Sequence, residues 1–163
     1  MEKLLVKVGP IEGLSDQLAT HPFVTIEPGA TQNALEFNQG DWRRWIRVGE
    51  PEGLFGLTEL MDNNPMVCAD SLSVPDPAST LALIACGPLI RAGLLLEAPS
   101  LIYNFRGYEP DVVDAFLMGE GWNEGATFAV AEENLDSALA LRALCLVKTE
   151  SELGEEIDEL YEE

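Results

Sequence analysis

The stretch Asp76–Leu96, DPASTLALIACGPLIRAGLLL, decides the fold class. Asp is a good N-cap and Pro is favoured at the first helical position, so Asp76-Pro77 opens a helix. Between Pro77 and Leu96 the only charge is Arg91. A helix apolar on nearly every side is either a membrane span or the central helix of a domain. A span needs about 20 apolar residues and tolerates Arg poorly near its centre. Here Gly87, Pro88 and Gly93 interrupt the run, and no basic anchor flanks it. The stretch therefore reads as a buried helix to about Leu95. Pro88 should kink it, because proline removes a backbone donor and clashes one turn back. No membrane partner is expected.

Outward from this helix the chain alternates strand and helix signals. On the N-terminal side, Lys3–Val8 reads as a strand closed by Gly9-Pro10. Ser15–His21 suits a short helix with Leu14 and Leu18 inward. Phe23–Glu27 alternates like a strand and stops at Pro28-Gly29. Leu35–Phe37 and Trp42–Val48 flank the turn-rich tetrad Asn38-Gln39-Gly40-Asp41 and so form a hairpin. In its second arm Trp42, Arg44, Ile46 and Val48 share one face, and Arg43, Trp45 and Arg47 the other. Glu50-Pro51 opens a predicted helix to about Met61, with Leu54, Leu57, Leu60 and Met61 at helical spacing and Asn63-Asn64-Pro65 as its end. Met66–Ala69 reads as a short buried strand.

On the C-terminal side Ser100–Phe105 reads as a strand. Glu109-Pro110 starts a helix carrying Val112, Val113, Phe116 and Leu117, stopped at Gly119. Ala126–Ala131 is a further strand. Leu135–Val147 reads as helix to about Ala143 and strand afterwards. The alternation predicts an α/β or α+β fold, with a single domain and a roughly four- to five-stranded sheet packed with helices. That core spans 1–149. Residues 150–163 hold eight acids and no base, with Leu153, Ile157, Leu160 and Tyr161 on one helical face. They form an acidic amphipathic C-terminal segment docked on the core or trailing from it.

Composition bounds the function. The chain has 163 residues, 47% of them hydrophobic, which suits one folded domain with its own core. The opening MEKLLVKVGP is too short in its apolar part for a signal peptide. Cys68, Cys86 and Cys145 lie far apart in apolar surroundings and read as buried small hydrophobes in a reducing compartment, so the expected location is cytoplasmic. Net charge is −20. Residues 1–49 set six acids against five bases, whereas residues 50–163 set 23 against four. Such a field repels nucleic-acid phosphates and attracts basic proteins. Direct nucleic-acid binding is not expected, and the sequence sets no oligomeric state.

No motif carries catalysis, which leans the reading away from an enzyme. His21 is the one imidazole, placed in a loop at a strand entrance, and no Gly-x-Ser-x-Gly elbow occurs. No metal and no cofactor is expected, since paired ligand spacings and the calcium-loop pattern are absent. Gly119–Gly125, GEGWNEG, has two carboxylates and no base, which argues against a phosphate cradle and for a mobile loop that offers Glu120, Trp122 and Glu124 to a partner. Glu132, Glu133, Glu155, Asp158 and Glu159 extend this partner-binding set along the acidic half. The expected function is an acidic binding or inhibitor protein that caps a basic protein partner, as immunity proteins and antitoxins do. Two alternatives stand beside it. One is a small α/β enzyme or anionic-ligand-binding domain that uses Trp42, Arg44 and the interior charges Arg91 and Arg106. The other is a structural or assembly protein.

Overall fold

Alternating apolar side chains need a second surface to cover them, and the chain meets that need twice. In a computed structural model, the described residues are 4–9, 14–28, 34–39, 41–57, 66, 68–131 and 138–148. They gather into two compact units, Met1–Pro75 and Asp76–Glu163. The fold is mixed α/β, with a six-stranded sheet in the first unit and a three-stranded sheet in the second.

In the first unit the elements are β1 (Leu4–Val8), α1 (Leu14–Ala19), β2 (Val24–Pro28), β3 (Ala34–Gln39), β4 (Trp42–Val48), β5 (Leu54–Phe55) and β6 (Ser71–Val74). Their order in the sheet is β2-β1-β3-β4-β6-β5. β1 runs parallel to β2 and antiparallel to β3, and β3–β4 is the expected antiparallel hairpin. The register carries one apolar row, Val8, Leu35, Ile46, Leu72 and Leu54, across five strands. On the other face the row Lys7, Glu36, Trp45, Ser71 is polar at both ends, and Lys7 Nζ stands 3.8 Å from Glu36. α1 packs against β2 with Leu14 and Leu18 half-buried.

The helix expected from Glu50-Pro51 does not form over the described part, 50–57. Gly53 and Gly56 have φ of 70° and 143°, outside the right-handed helical region, and Leu54–Phe55 between them pairs parallel with β6. Helical leucine spacing loses to two glycines and a neighbouring strand. Residues 58–65, including the expected stop at Asn63-Asn64-Pro65, lie outside the described residues. The strand expected at Met66–Ala69 is also displaced. Met66 and Cys68 are helical, and the strand is Ser71–Val74. Cys68 is exposed rather than buried.

The second unit holds α2 (Pro77–Arg91), β7 (Ser100–Tyr103), α3 (Pro110–Gly119), β8 (Thr127–Val130) and β9 (Leu141–Leu144), with sheet order β8-β7-β9. Asp76 caps α2 as expected, its Oδ1 accepting from the Ser79 amide at 2.7 Å. α2 continues through Pro88 to Arg91 and stops four residues earlier than the sequence suggested. The stop is a glycine cap. Gly93 has φ 66°, its amide bonds Ile90 O, and the Leu94 amide bonds Leu89 O. Ala78, Ala82, Leu83, Cys86, Leu89 and Ile90 are buried, together with Leu101 and Tyr103 of β7 and Val113, Phe116 and Leu117 of α3. Tyr103 is fully buried, and its hydroxyl donates to Ala78 O at 2.9 Å. Burial raises that phenol above its ordinary range, with the negative charge of Asp76 adding to the effect.

The helix expected to reach Ala143 is absent over 138–143. Leu141–Leu144 is instead antiparallel to β7, with Leu101 opposite Ala143 and Tyr103 opposite Leu141. Asn104 holds the approach to this strand open, donating to Ala138 O and accepting from the Ala140 amide. The loose alternation of LRAL thus outweighs its helical composition once β7 offers a partner. The described residues hold nine short strands in two sheets, more than the four or five expected of one sheet. Residues 150–163 lie outside the described residues.

Candidate functional site

α3 begins at Pro110 because proline fits a first helical position, and its N-cap Glu109 makes no side-chain capping bond. Glu109 and Asp111 are therefore left exposed at the helix start. A carboxylate in the first turn is stabilised by the helix dipole. One turn on, Asp114 reaches back to the far end of the following loop, where its Oδ1 accepts from the Ala126 amide at 2.9 Å. Burial raises the Asp114 carboxyl above its ordinary range. The Ala126 hydrogen bond opposes that shift, and the charge of Asp111 adds to it. The carboxylates of α3 thus feel one another.

The loop from Gly119 to Gly125 carries three of the residues singled out by the sequence, and they do different things. Glu120 has a side chain only 4% exposed and accepts from Arg91 Nε at the end of α2. This carboxylate ties the two helices together and is not presented to solvent. Trp122 is half-buried, and its indole N–H donates to Gly125 O at 2.6 Å. The Trp122 amide bonds Leu117 O at 3.2 Å, and Gly121 and Gly125 take positive φ. The loop is closed by its own hydrogen bonds. Only Glu124 of the three is exposed. Glu109, Asp111 and Glu124 have no ion pair among the described residues.

Two of the arginines are placed differently from the sequence reading. Arg91 and Arg106 were expected as interior charges, but both are exposed. The helix ends at Arg91 ahead of the Gly93 cap, so Arg91 occupies the last turn of α2 and extends towards solvent and Glu120. Arg106 follows β7 in a loop. Trp42 and Arg44 do share a face of β4, with the Arg44 guanidinium 5.6 Å from the Trp42 ring centre and Trp42 45% exposed. Arg47, on the opposite face, pairs with Glu52 at 3.0 Å and Glu50 at 3.7 Å. Glu132, Glu133, Glu155, Asp158 and Glu159 lie outside the described residues. His21 is exposed beside β2, with its Nδ1 3.4 Å from the Phe23 amide.

Among the described residues no group of three His, Cys, Asp or Glu stands together as a metal site, and no helix is long and apolar enough to cross a membrane. Comparison of the chain with protein-family models, curated proteins and solved structures finds no match.

The sequence reading passed over two features. Glu109, Asp111 and Asp114 were treated as part of a general acidic background. Their i, i+2 and i+5 spacing from a proline-started helix was the available signal. Cys86 and Cys145 were treated singly, yet their sulfurs lie 3.8 Å apart across 59 residues of sequence. No linear spacing signals that pair.

Proposed function

We propose that this chain is a binding protein for a basic protein partner, contacted through exposed carboxylates of the second unit. One observation carries the reading. Glu109, Asp111 and Glu124 are exposed without an ion pair among the described residues, while Arg91, on the neighbouring helix, is engaged by Glu120. Exposed carboxylates on a packed helix and its closing loop give a field that speeds encounter with a cationic surface and weakens with salt. An inhibitory role, in which the acidic surface covers a basic active site as immunity proteins and antitoxins do, is the class this physics suits. Three free thiols fit a reducing, cytoplasmic setting.

The test is capture from native lysate on immobilised chain at low and high salt. Two equal-charge variants are compared, Glu109→Gln/Asp111→Asn/Glu124→Gln and Asp16→Asn/Asp41→Asn/Asp70→Asn. A basic protein is expected on the wild type and on the second variant at low salt, and neither on the first variant nor at high salt. No retained basic protein, or equal loss in both variants, contradicts the proposal.

A second reading rests on the exposed Trp42 with Arg44 stacked over it, an arrangement that suits a small anion carrying an aromatic or planar group. A saturable change in tryptophan fluorescence on titration with benzoate, lost in Trp42→Phe, is its expected signature. A change that survives the substitution contradicts it.

A further inference from the structure

Cys86 lies on the buried face of α2 and is fully buried, and Cys145 follows β9 directly and is half-buried. α2 packs against β9, and the two sulfurs stand 3.8 Å apart. A disulfide needs about 2.0 Å between sulfurs, so the gap to close is about 2 Å, the scale of a side-chain rotation. The two thiols are not equivalent. The hydrogen bond with Cys86 pulls the Cys145 thiol down to about 7, against the opposing effect of burial. The same bond, with burial, pushes Cys86 far up. Cys145 is the half-buried and more accessible sulfur of the two, and Cys86 is a protected second thiol in contact with it.

We propose that Cys86 and Cys145 form a dithiol site that reacts with small disulfides by thiol–disulfide exchange. The Cys145 thiolate attacks one sulfur of the small disulfide. A bond forms between Cys145 and that sulfur, the disulfide bond of the reagent breaks, and one thiolate leaves. Cys86 then loses its proton to the departed thiolate, and its sulfur attacks Cys145. The Cys86–Cys145 bond forms and the second half of the reagent leaves as a thiolate, which takes a proton from water. Two protein thiols are oxidised and one small disulfide is reduced to two thiols. The chain's net charge of −20 favours a neutral or cationic disulfide over an anionic one. Cys68, exposed in the other unit, has no neighbouring thiol among the described residues and so stops at the mixed disulfide.

The test uses the full chain, 2-hydroxyethyl disulfide and peptide mass mapping. In the wild type, a Cys86–Cys145 cross-linked peptide is expected, about two mass units lighter than its reduced parts. Cys68 is expected to carry the stable hydroxyethylthio adduct. In Cys86→Ser the adduct is expected to remain on Cys145. In Cys68→Ser the cross-link is expected to form unchanged, and the melting temperature of the oxidised chain is expected to rise by about 5–10 °C. A wild-type chain that keeps a stable adduct on Cys145, or leaves Cys145 unmodified while Cys68 reacts, overturns the proposal.

Discussion

Unit 1, residues 1–75, sets eleven acids against five bases, and unit 2, residues 76–163, sets 18 against four. Their interiors differ as well. Among the described residues of the first, the buried hydrophobic ones are Val6, Val8, Ala34 and Leu72, and a buried carboxylate, Glu36, faces Lys7 on the adjacent strand. In the second, a broad face of α2, two residues of β7 and three of α3 form a dense apolar core. Over its described residues the first unit joins six strands by pairing and partly covered side chains, and its Arg47 is neutralised locally by Glu50 and Glu52. The second buries the larger set of apolar side chains among the described residues, and its Glu109, Asp111 and Glu124 are exposed. Among the described residues, the unit with more buried apolar side chains is also the one whose sequence is less balanced in charge.

The contrast breaks most readily in the cores. Phe116 is fully buried, and Phe116→Ala is expected to cost about 3–5 kcal/mol in chemical denaturation. Leu72→Ala, at a residue 8% exposed in the thinner core, is expected to cost less, about 2–3 kcal/mol. Equal losses would remove the distinction. Smaller effects sharpen it. Tyr103→Phe deletes the hydroxyl bonded to Ala78 O, and Asp76→Ala deletes the cap on Ser79. Each is expected to cost about 1 kcal/mol. Arg47→Gln, at an exposed pair in the first unit, is expected to cost no more than about 1 kcal/mol and to lose its effect in high salt.

The smallest effect carries a sign. Asp114 has a folded carboxyl raised above its unfolded range, first by burial. A raised carboxyl favours folding when protonated, so its ionised form costs stability at neutral pH and that cost disappears as pH falls below the unfolded range. Asp114→Asn keeps an acceptor for the Ala126 amide. It is expected to leave the melting temperature at pH 7 unchanged or slightly raised, with any gain shrinking towards acid pH. A loss at pH 7 that shrinks in acid would show that the charged hydrogen bond outweighs burial.

Local chemistry accounts for what was legible. Asp76-Pro77, Glu109-Pro110, the hairpin around Asn38–Asp41 and the alternating strands each announce themselves within a few residues. β5, β6 and β9 were not legible, because Leu54–Phe55 sits in helical leucine spacing, Ser71–Val74 lacks a run of large apolar residues, and Leu141–Leu144 has helical composition, so each takes strand form through its neighbour. At the candidate site the sequence supplied Glu120, Trp122 and Glu124 as a loop set. It did not show that Glu120 would be taken by Arg91, 29 residues away, leaving Glu124 and the start of α3 exposed. The Cys86–Cys145 contact is of the same kind, since it exists only through the packing of α2 on β9.

The most direct measurement is the association rate of the full chain with a cationic ribonuclease probe, followed by surface plasmon resonance at low and high salt. The two equal-charge variants are run beside the wild type. The account expects the Glu109→Gln/Asp111→Asn/Glu124→Gln chain to associate about tenfold more slowly than the wild type at low salt. The Asp16→Asn/Asp41→Asn/Asp70→Asn chain should stay within about twofold of wild type, and all three should converge at high salt. Equal slowing in both variants would show that net charge alone governs the encounter, and would contradict a binding surface on the second unit.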